Sequence, residues 1–282
     1  MNEVIQQTED QLRGYIPEGE LRATAYWVIE ETTGMSRTDI LSGKCTKIVP
    51  EVSDVLRRIQ RHEPVQYIFG HTYWRGMELA VNPSVLIPRP ETSELVDWIL
   101  EDNTAEHLTL TDAGTGSGCI AIALKKEQPK WQITALDLSS EAIETARKNG
   151  EAQGTDIRWR KADMLHLPED LHTDILVSNP PYIMNKERAA MERNVLDYEP
   201  QTALFVPDSD PLLFYRALAG QHRAGTLYFE INPLQAQAMK EMLQKEGYLH
   251  IETRKDMQGK ERMMKATECS LAELDTLVPL LI

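Results

Sequence analysis

Apolar positions in the first sixty residues recur at helical intervals. Val4, Ile5 and Leu12, then Leu21, Ala25, Val28 and Ile29, then Val52, Val55, Leu56 and Ile59 each follow a 3.6-residue repeat. Gly14, Pro17-Glu18-Gly19, Gly34 and Gly43 punctuate these stripes, so residues 1–63 are expected to form a small helical domain. The pattern changes over 64–84, where aromatic and branched residues flank Arg75-Gly76 and predict a β-hairpin linking two domains.

A proline-bracketed loop at 85–92 leads into a helix expected at 93–100. Beyond it, runs of strand length alternate with helical stretches. Strands are expected at 108–112, 132–137, 157–162, 174–178, 226–231, 249–254 and 262–267, with helices at 119–126, 140–153, 211–220 and 233–246. This alternation predicts an α/β domain over 85–282, built on a mostly parallel, seven-stranded sheet with helices on both faces. Ligands bind such sheets at the carboxyl ends of the strands, where the strand order reverses. The tail at 270–282 is apolar enough to be expected to pack against something.

Composition narrows the function. The net charge is −14, and the imbalance is uneven: residues 1–90 carry 10 basic and 12 acidic groups, so most of the acid excess lies in the α/β part. A protein that grips a long duplex shows a basic footprint, so direct nucleic-acid binding is not expected. Arg57, Arg58 and Arg61 group on one expected helix, as a solvated face or as a docking surface. No apolar run approaches the roughly 20 residues of a membrane span, and no secretory signal is expected at the start, so a cytoplasmic location and no membrane partner are expected. Cys45, Cys119 and Cys269 are few and far apart, which fits a reducing compartment and argues against a disulfide framework. No histidine spacing suggests a metal ligand set, and no metal is expected.

The chemistry begins after the first strand, at Asp112-Ala113-Gly114-Thr115-Gly116-Ser117-Gly118. Glycines let a backbone turn sharply and approach a ligand, and the N–H groups of the following helix start face that ligand. The same loop also serves as a tight turn with nothing bound. Asp137 ends the second strand about 20 residues on, where a carboxylate can accept from both ribose hydroxyls. Asp163 and Met164 end the third strand, placed to accept from an adenine amino group and to wall its face. The GxGxG spacing differs from the dinucleotide pattern; NAD remains open, and S-adenosylmethionine fits better.

The fourth strand ends in Ser178-Asn179-Pro180-Pro181-Tyr182-Ile183. A planar –NH2 has a delocalised lone pair and needs close positioning to act as a nucleophile. The Asn179 side-chain oxygen can accept one N–H and the Pro180 carbonyl the other. Pro181 stiffens the turn, and Tyr182 offers a ring to stack on the planar group. This is catalysis by positioning rather than by a strong base. A strand-ending turn with a core tyrosine is the plainer reading.

An ordered set of motifs sharpens the picture: RHEPVQYIFG at 61–70, VLIPRPET at 85–92, DAGTGSGCIAIAL at 112–124, SNPPYI at 178–183, YEPQTALF at 198–205, FEI at 229–231 and DMQGKER at 256–262. Together they resemble the HemK/PrmC family of peptide chain release factor glutamine N5-methyltransferases over nearly the whole chain. The resemblance implies a Rossmann-like class I methyltransferase sheet, S-adenosylmethionine as methyl donor with S-adenosylhomocysteine as product, and a helical N-terminal domain that docks bacterial class I release factors. The substrate it implies is the glutamine of a Gly-Gly-Gln loop. By matching positions, Gly114, Thr115, Gly116, Ser117, Gly118, Asp137, Asp163, Met164 and Asn179 are expected to hold the cofactor. Asn179, Pro180, Pro181 and Tyr182 are expected to hold the glutamine amide, with Asn179, Pro180 and Tyr182 catalytic. Arg89 and Glu91 lie in a loop expected to cover the cofactor, and Glu230 lies near the site. In the family a bulky aromatic or aliphatic residue often stands where this chain has Met164, and a glycine usually follows the Glu-Ile pair, where this chain has Asn232-Pro233. A sister activity on a large-subunit ribosomal protein, and adenine amino-methylation of nucleic acid, share the Asn-Pro-Pro-Tyr pattern.

Overall fold

The computed structural model describes residues 3–45 and 47–268. Cys269 and the apolar tail lie outside the described residues. The chain divides into two compact units.

The first unit takes the residues up to His71 together with Met191–Glu199. Its helices Glu3–Leu12, Leu21–Thr33, Arg37–Leu41 and Pro50–Ile59 bury the apolar stripes around Leu12, Ile29, Ile40 and Leu56. Local chemistry sets their ends. Gly34 closes the second helix in the left-handed region at φ 67°, and Ser36 and Asp39 form a reciprocal capping box on the third. Sequence patterning merged the next segment into the hairpin, but Val65–Phe69 is a short helix closed by Gly70. The return of the chain through helix Arg193–Tyr198 was not anticipated either; the Tyr198 hydroxyl donates to the Arg61 carbonyl at 3.0 Å.

The second unit opens at Thr72, within a hairpin of β1 (His71–Trp74) and β2 (Met77–Ala80). Arg75 and Gly76 both have positive φ, 49° and 71°, the paired left-handed residues of a two-residue hairpin turn. Helix Pro90–Asp102 follows, longer than expected, with Pro90 in its first turn. Then come β3 (Thr109–Ala113), β4 (Gln132–Asp137), β5 (Arg158–Lys161), β6 (Thr173–Ser178), the two-residue β7 (Ile183–Met184) and β8 (Phe205–Val206), β9 (Ala224–Glu230), β10 (Tyr248–Lys255) and β11 (Glu261–Glu268).

The main sheet has the order β10-β11-β9-β6-β3-β4-β5. Neighbours from β5 to β9 pair in parallel, and β11 alone runs against the rest. All seven expected strands are present, each within two residues of its expected start. Side-chain alternation sends Ile175, Val177 and Tyr228 to a core beneath helices Pro90–Asp102 and Cys119–Glu127. It sends Leu176, Leu227 and Phe229 to a second core beneath Leu213–Gly220 and Ala236–Lys245. Between β6 and β9 lies an excursion of short pieces that periodicity does not resolve, because none is long enough to show a stripe. The strand order reverses between β3 and β6.

Candidate active site

The turns after β3 and β6 open onto a cavity of about 550 Å³. The two strand ends are joined by the Ser178 hydroxyl, which donates to the Ala113 carbonyl at 2.6 Å.

After β3 the chain folds into the glycine loop. Gly114 and Gly116 have φ of 78° and 55°, conformations that side-chain-bearing residues seldom adopt. A Cβ on Gly114 would also lie 2.6 Å from Met164 Cε, the flexible end of a side chain that can give way, so the positive φ is what selects glycine. The Gly114 and Thr115 N–H groups donate to the Leu136 carbonyl at 2.9 and 2.8 Å, which draws the loop against β4. Gly114, Thr115, Gly116 and Ser117 all line the cavity, but Gly118 does not. A Cβ on Gly118 would meet Ala146, Ile122 and Trp159 at 3.1 Å each, so its smallness serves the packing of the helix start.

Asp137 lies on the wall at the end of β4. Its Oδ2 accepts from Gly116 N and its Oδ1 from Ser139 N, both at 2.9 Å. Burial raises its pKa, and those N–H groups oppose the rise. Each carboxylate oxygen keeps a second lone pair, so the acid can still accept from a diol. Asp163 and Met164 line the cavity beyond β5, with Asp163 Oδ1 held by Leu165 N at 2.9 Å. Leu138, 61% exposed, adds an apolar face beside them. Together a glycine cradle, a diol acceptor and an apolar slot fit an adenosyl cofactor.

Two titratable groups stand beside the loop, Asp112 behind it and Cys119 at the helix start on the cavity wall. Asp112 is fully buried and accepts from Thr115 Oγ1 at 2.7 Å; burial pushes its pKa up to about 7. Burial likewise pushes the Cys119 thiol up to about 12, so it stays protonated and is no nucleophile.

After β6, Asn179 and Pro181 line the cavity, whereas Pro180 and Tyr182 do not. The Tyr182 ring, expected as a stacking surface, packs instead against the second core, and its hydroxyl donates to Glu230 Oε1 at 2.9 Å. A buried phenol needs an acceptor, and the carboxylate at the end of β9 supplies one. Glu230 Oε2 accepts from the Thr92 hydroxyl at 2.6 Å, and Thr92 Oγ1 in turn accepts from Asn179 Nδ2 at 3.2 Å. Burial raises the pKa of Glu230, while the Thr92 and Tyr182 hydroxyls and the Arg262 charge oppose the rise. Asn232 donates to the Tyr182 carbonyl at 3.2 Å and accepts from Leu234 N at 3.0 Å, fixing the loop after β9.

Arg89 also lines the cavity, but Glu91 does not; its Oε1 accepts from Gln258 Nε2 at 3.3 Å. The remaining wall comes from residues that periodicity did not single out, among them Val85, Leu86, Phe205 and Phe214. Among the described residues no cluster of three or more His, Cys, Asp or Glu side chains is arranged to hold a metal ion, and no helix is long and apolar enough to cross a membrane.

Comparison with known proteins agrees with this geometry. Residues 3–70 match the family model described as PrmC N-terminal domain, and residues 92–197 match Methyltransferase small domain. A release factor glutamine methyltransferase of Bacteroides thetaiotaomicron is 40% identical over 94% of this chain and 99% of its own length. Those of Streptococcus pneumoniae and Bacillus subtilis are 38% and 36% identical, over 88% and 83% of this chain and 92% and 87% of their own lengths. Among solved structures, a methyltransferase from Pyrococcus furiosus covers 77% of this chain and all of its own at 17% identity, with a TM-score of 0.52. Human methyltransferase 10 domain containing protein covers 68% of this chain and 90% of its own at 19% identity, also with a TM-score of 0.52. These two establish the class I methyltransferase fold. With a helical N-terminal unit, a glycine-cradled cavity at the switch point and relatives this similar end to end, the chain belongs to the release factor glutamine methyltransferase family.

Proposed function

We propose that this chain methylates the side-chain amide nitrogen of the Gly-Gly-Gln glutamine in bacterial class I peptide chain release factors, using S-adenosylmethionine. The observation that carries the reading is that Asn179 and the loop from Gly114 to Ser117 face one cavity from the ends of adjacent strands. When bound, S-adenosylmethionine supplies an electrophilic methyl group. Gly114, Thr115, Gly116 and Ser117 would leave room for it along the loop, Asp137 would accept from its ribose, and Asp163 and Met164 would flank its base; all of them line the cavity.

Asn179 does the positioning. Its carboxamide oxygen accepts one N–H of the glutamine amide and the Pro180 carbonyl accepts the other, so charge that develops on the attacking nitrogen is stabilised in place. Pro180 itself is buried, and its carbonyl accepts no hydrogen bond among the described residues. Pro181 stiffens the turn. Tyr182 contributes through Glu230 rather than by stacking. The helical unit, whose segment 3–70 matches the PrmC N-terminal domain, docks the release factor.

The test offers labelled S-adenosylmethionine with purified release factor, its Gly-Gly-Gln glutamine-to-alanine variant, a large-subunit ribosomal protein and an oligonucleotide in parallel. Label on the release factor alone, lost in the variant, is expected. Label on the ribosomal protein or the oligonucleotide but not on the release factor overturns the substrate.

A further inference from the structure

An asparagine carboxamide is nearly symmetric in shape, so sterics do not decide whether oxygen or nitrogen faces a ligand. Hydrogen bonding decides it. In its ionised form Glu230 has no proton to give, so both hydroxyls that reach it donate: Tyr182 to Oε1 at 2.9 Å and Thr92 to Oε2 at 2.6 Å. Thr92 has a single hydroxyl proton, and that donation uses it. Only lone pairs remain on its oxygen toward Asn179, which can therefore turn only an N–H to it, at 3.2 Å. The Asn179 Oδ1 makes no hydrogen bond among the described residues.

The origin of this chain of bonds is well fixed. Glu230 is 2% exposed, Tyr215 OH donates to its backbone carbonyl at 2.9 Å, and its Cα pairs with Met263 of β11. Thr92 is also 2% exposed and sits in the first turn of helix Pro90–Asp102. The bonds span 138 positions of sequence between Thr92 and Glu230 and 87 between Thr92 and Asn179.

We propose that Thr92 and Glu230 are positioning residues for methyl transfer: Glu230, acting through the Thr92 hydroxyl, holds the Asn179 carboxamide with its oxygen toward the substrate amide. This rests on the reading of Asn179 as an acceptor for the glutamine N–H. With the polarity reversed, Asn179 would meet a donor with a donor.

Glu230→Gln gives a sharp test because it keeps size and shape. If the introduced carboxamide satisfies Tyr182 with its oxygen, its –NH2 faces Thr92, Thr92 donates to Asn179 Oδ1, and the Asn179 side chain inverts. If it instead turns its oxygen to Thr92, the Tyr182 proton is left buried without an acceptor. Removing that proton in Tyr182→Phe/Glu230→Gln frees the new side chain to serve Thr92 and restores the original polarity.

The experiment measures kcat on release factor, S-adenosylhomocysteine affinity by calorimetry and thermal melting for N179A, T92V, T92S, E230Q and Y182F/E230Q. T92V and E230Q are expected to lose about 10- to 100-fold in kcat, the rate equivalent of one mispaired buried hydrogen bond. Their cofactor affinity should stay within about threefold, since the loss lies in amide polarity and not in the cofactor cradle. T92S should recover most of the loss, and Y182F/E230Q should turn over faster than E230Q despite a lower melting temperature. T92V and E230Q within about threefold of wild type, alongside an inactive N179A, would overturn the proposal and leave the reading of Asn179 standing. A double variant no faster than E230Q, or a T92S as slow as T92V, also overturns it. An active N179A is a different outcome, because it removes Asn179 from the site altogether.

Discussion

Asn149 pairs with Ala80 as one strand residue pairs with another. Its Oδ1 accepts from the Ala80 N–H at 2.7 Å and its Nδ2 donates to the Ala80 carbonyl at 2.9 Å. The same Nδ2 donates to the Ser117 carbonyl at 2.9 Å, so one carboxamide ties the hairpin to the glycine loop. Asn149 is 3% exposed, and truncation removes its bonds to three backbone groups, two of them on exposed Ala80. Asn149→Ala is expected to cost about 1–2 kcal/mol, most of it from the buried Ser117 carbonyl, because Ala80 is exposed and water can reach its groups. Urea denaturation measures this, with weakened cofactor binding as a second readout; a loss under about 1 kcal/mol would mean that other groups take over these bonds.

The glycine loop gives a two-part prediction. Gly114→Ala meets two obstacles, a φ of 78° and a Cβ position 2.6 Å from Met164 Cε. The first costs about 1–2 kcal/mol in the left-handed region. The second falls on the end of a flexible side chain and can be relieved. Adding Met164→Ala should recover part of the lost cofactor affinity but little of the stability, as calorimetry and melting together would show.

At the junction of β3 and β6, Ser178→Ala removes the donor to the Ala113 carbonyl. The expected destabilisation is about 1–2 kcal/mol, the usual range for a buried acceptor losing its partner. The two turns that flank the cavity should loosen with it. Faster amide exchange at Gly114 and Asn179, but not across β10 and β11, is the signature to look for.

Stability should fall as pH rises from about 4 to about 7. Asp112 ionises near 7 in the folded chain and at about 3.9 in an unfolded one, so across that window the native state holds a proton that the unfolded state has lost. Protons therefore favour folding there, and the slope vanishes above the folded value. Asp137 and Glu230 are shifted upward by burial too and add slope of the same sign. Asp112→Asn should flatten the profile of melting temperature between about pH 4 and 7; an unchanged slope would assign it entirely to the other two acids.

The sheet was legible because its strands are short apolar runs between helices long enough to show a stripe, and β4 was read to the residue. The glycine loop, Asp137, Asp163, Met164 and Asn179 were legible because each follows a strand end, which is a local property of sequence. Partner choice is not local. Nothing near Thr92 announces that its hydroxyl meets an acid 138 positions away, and Asn149 looks like any polar residue on a helix. The one available cue for Glu230 was a charged residue at the end of an otherwise apolar strand, which must find partners if buried. Tyr182 and Gly118 were misplaced for a related reason: a motif names residue types, whereas the core decides which of them turn inward.

β11 lies between β9 and β10, although it is the last strand of the described chain. Met263 of β11 stands opposite Glu230, the Ile231 N–H donates to the Arg262 carbonyl at 2.8 Å, and the Arg262 charge opposes the rise that burial gives the Glu230 pKa. During synthesis, then, the glycine loop and Asn179 leave the ribosome long before the strand that completes their surroundings. The surroundings of Glu230, and through Thr92 those of Asn179, are therefore complete only once the β10–β11 hairpin has docked on β9.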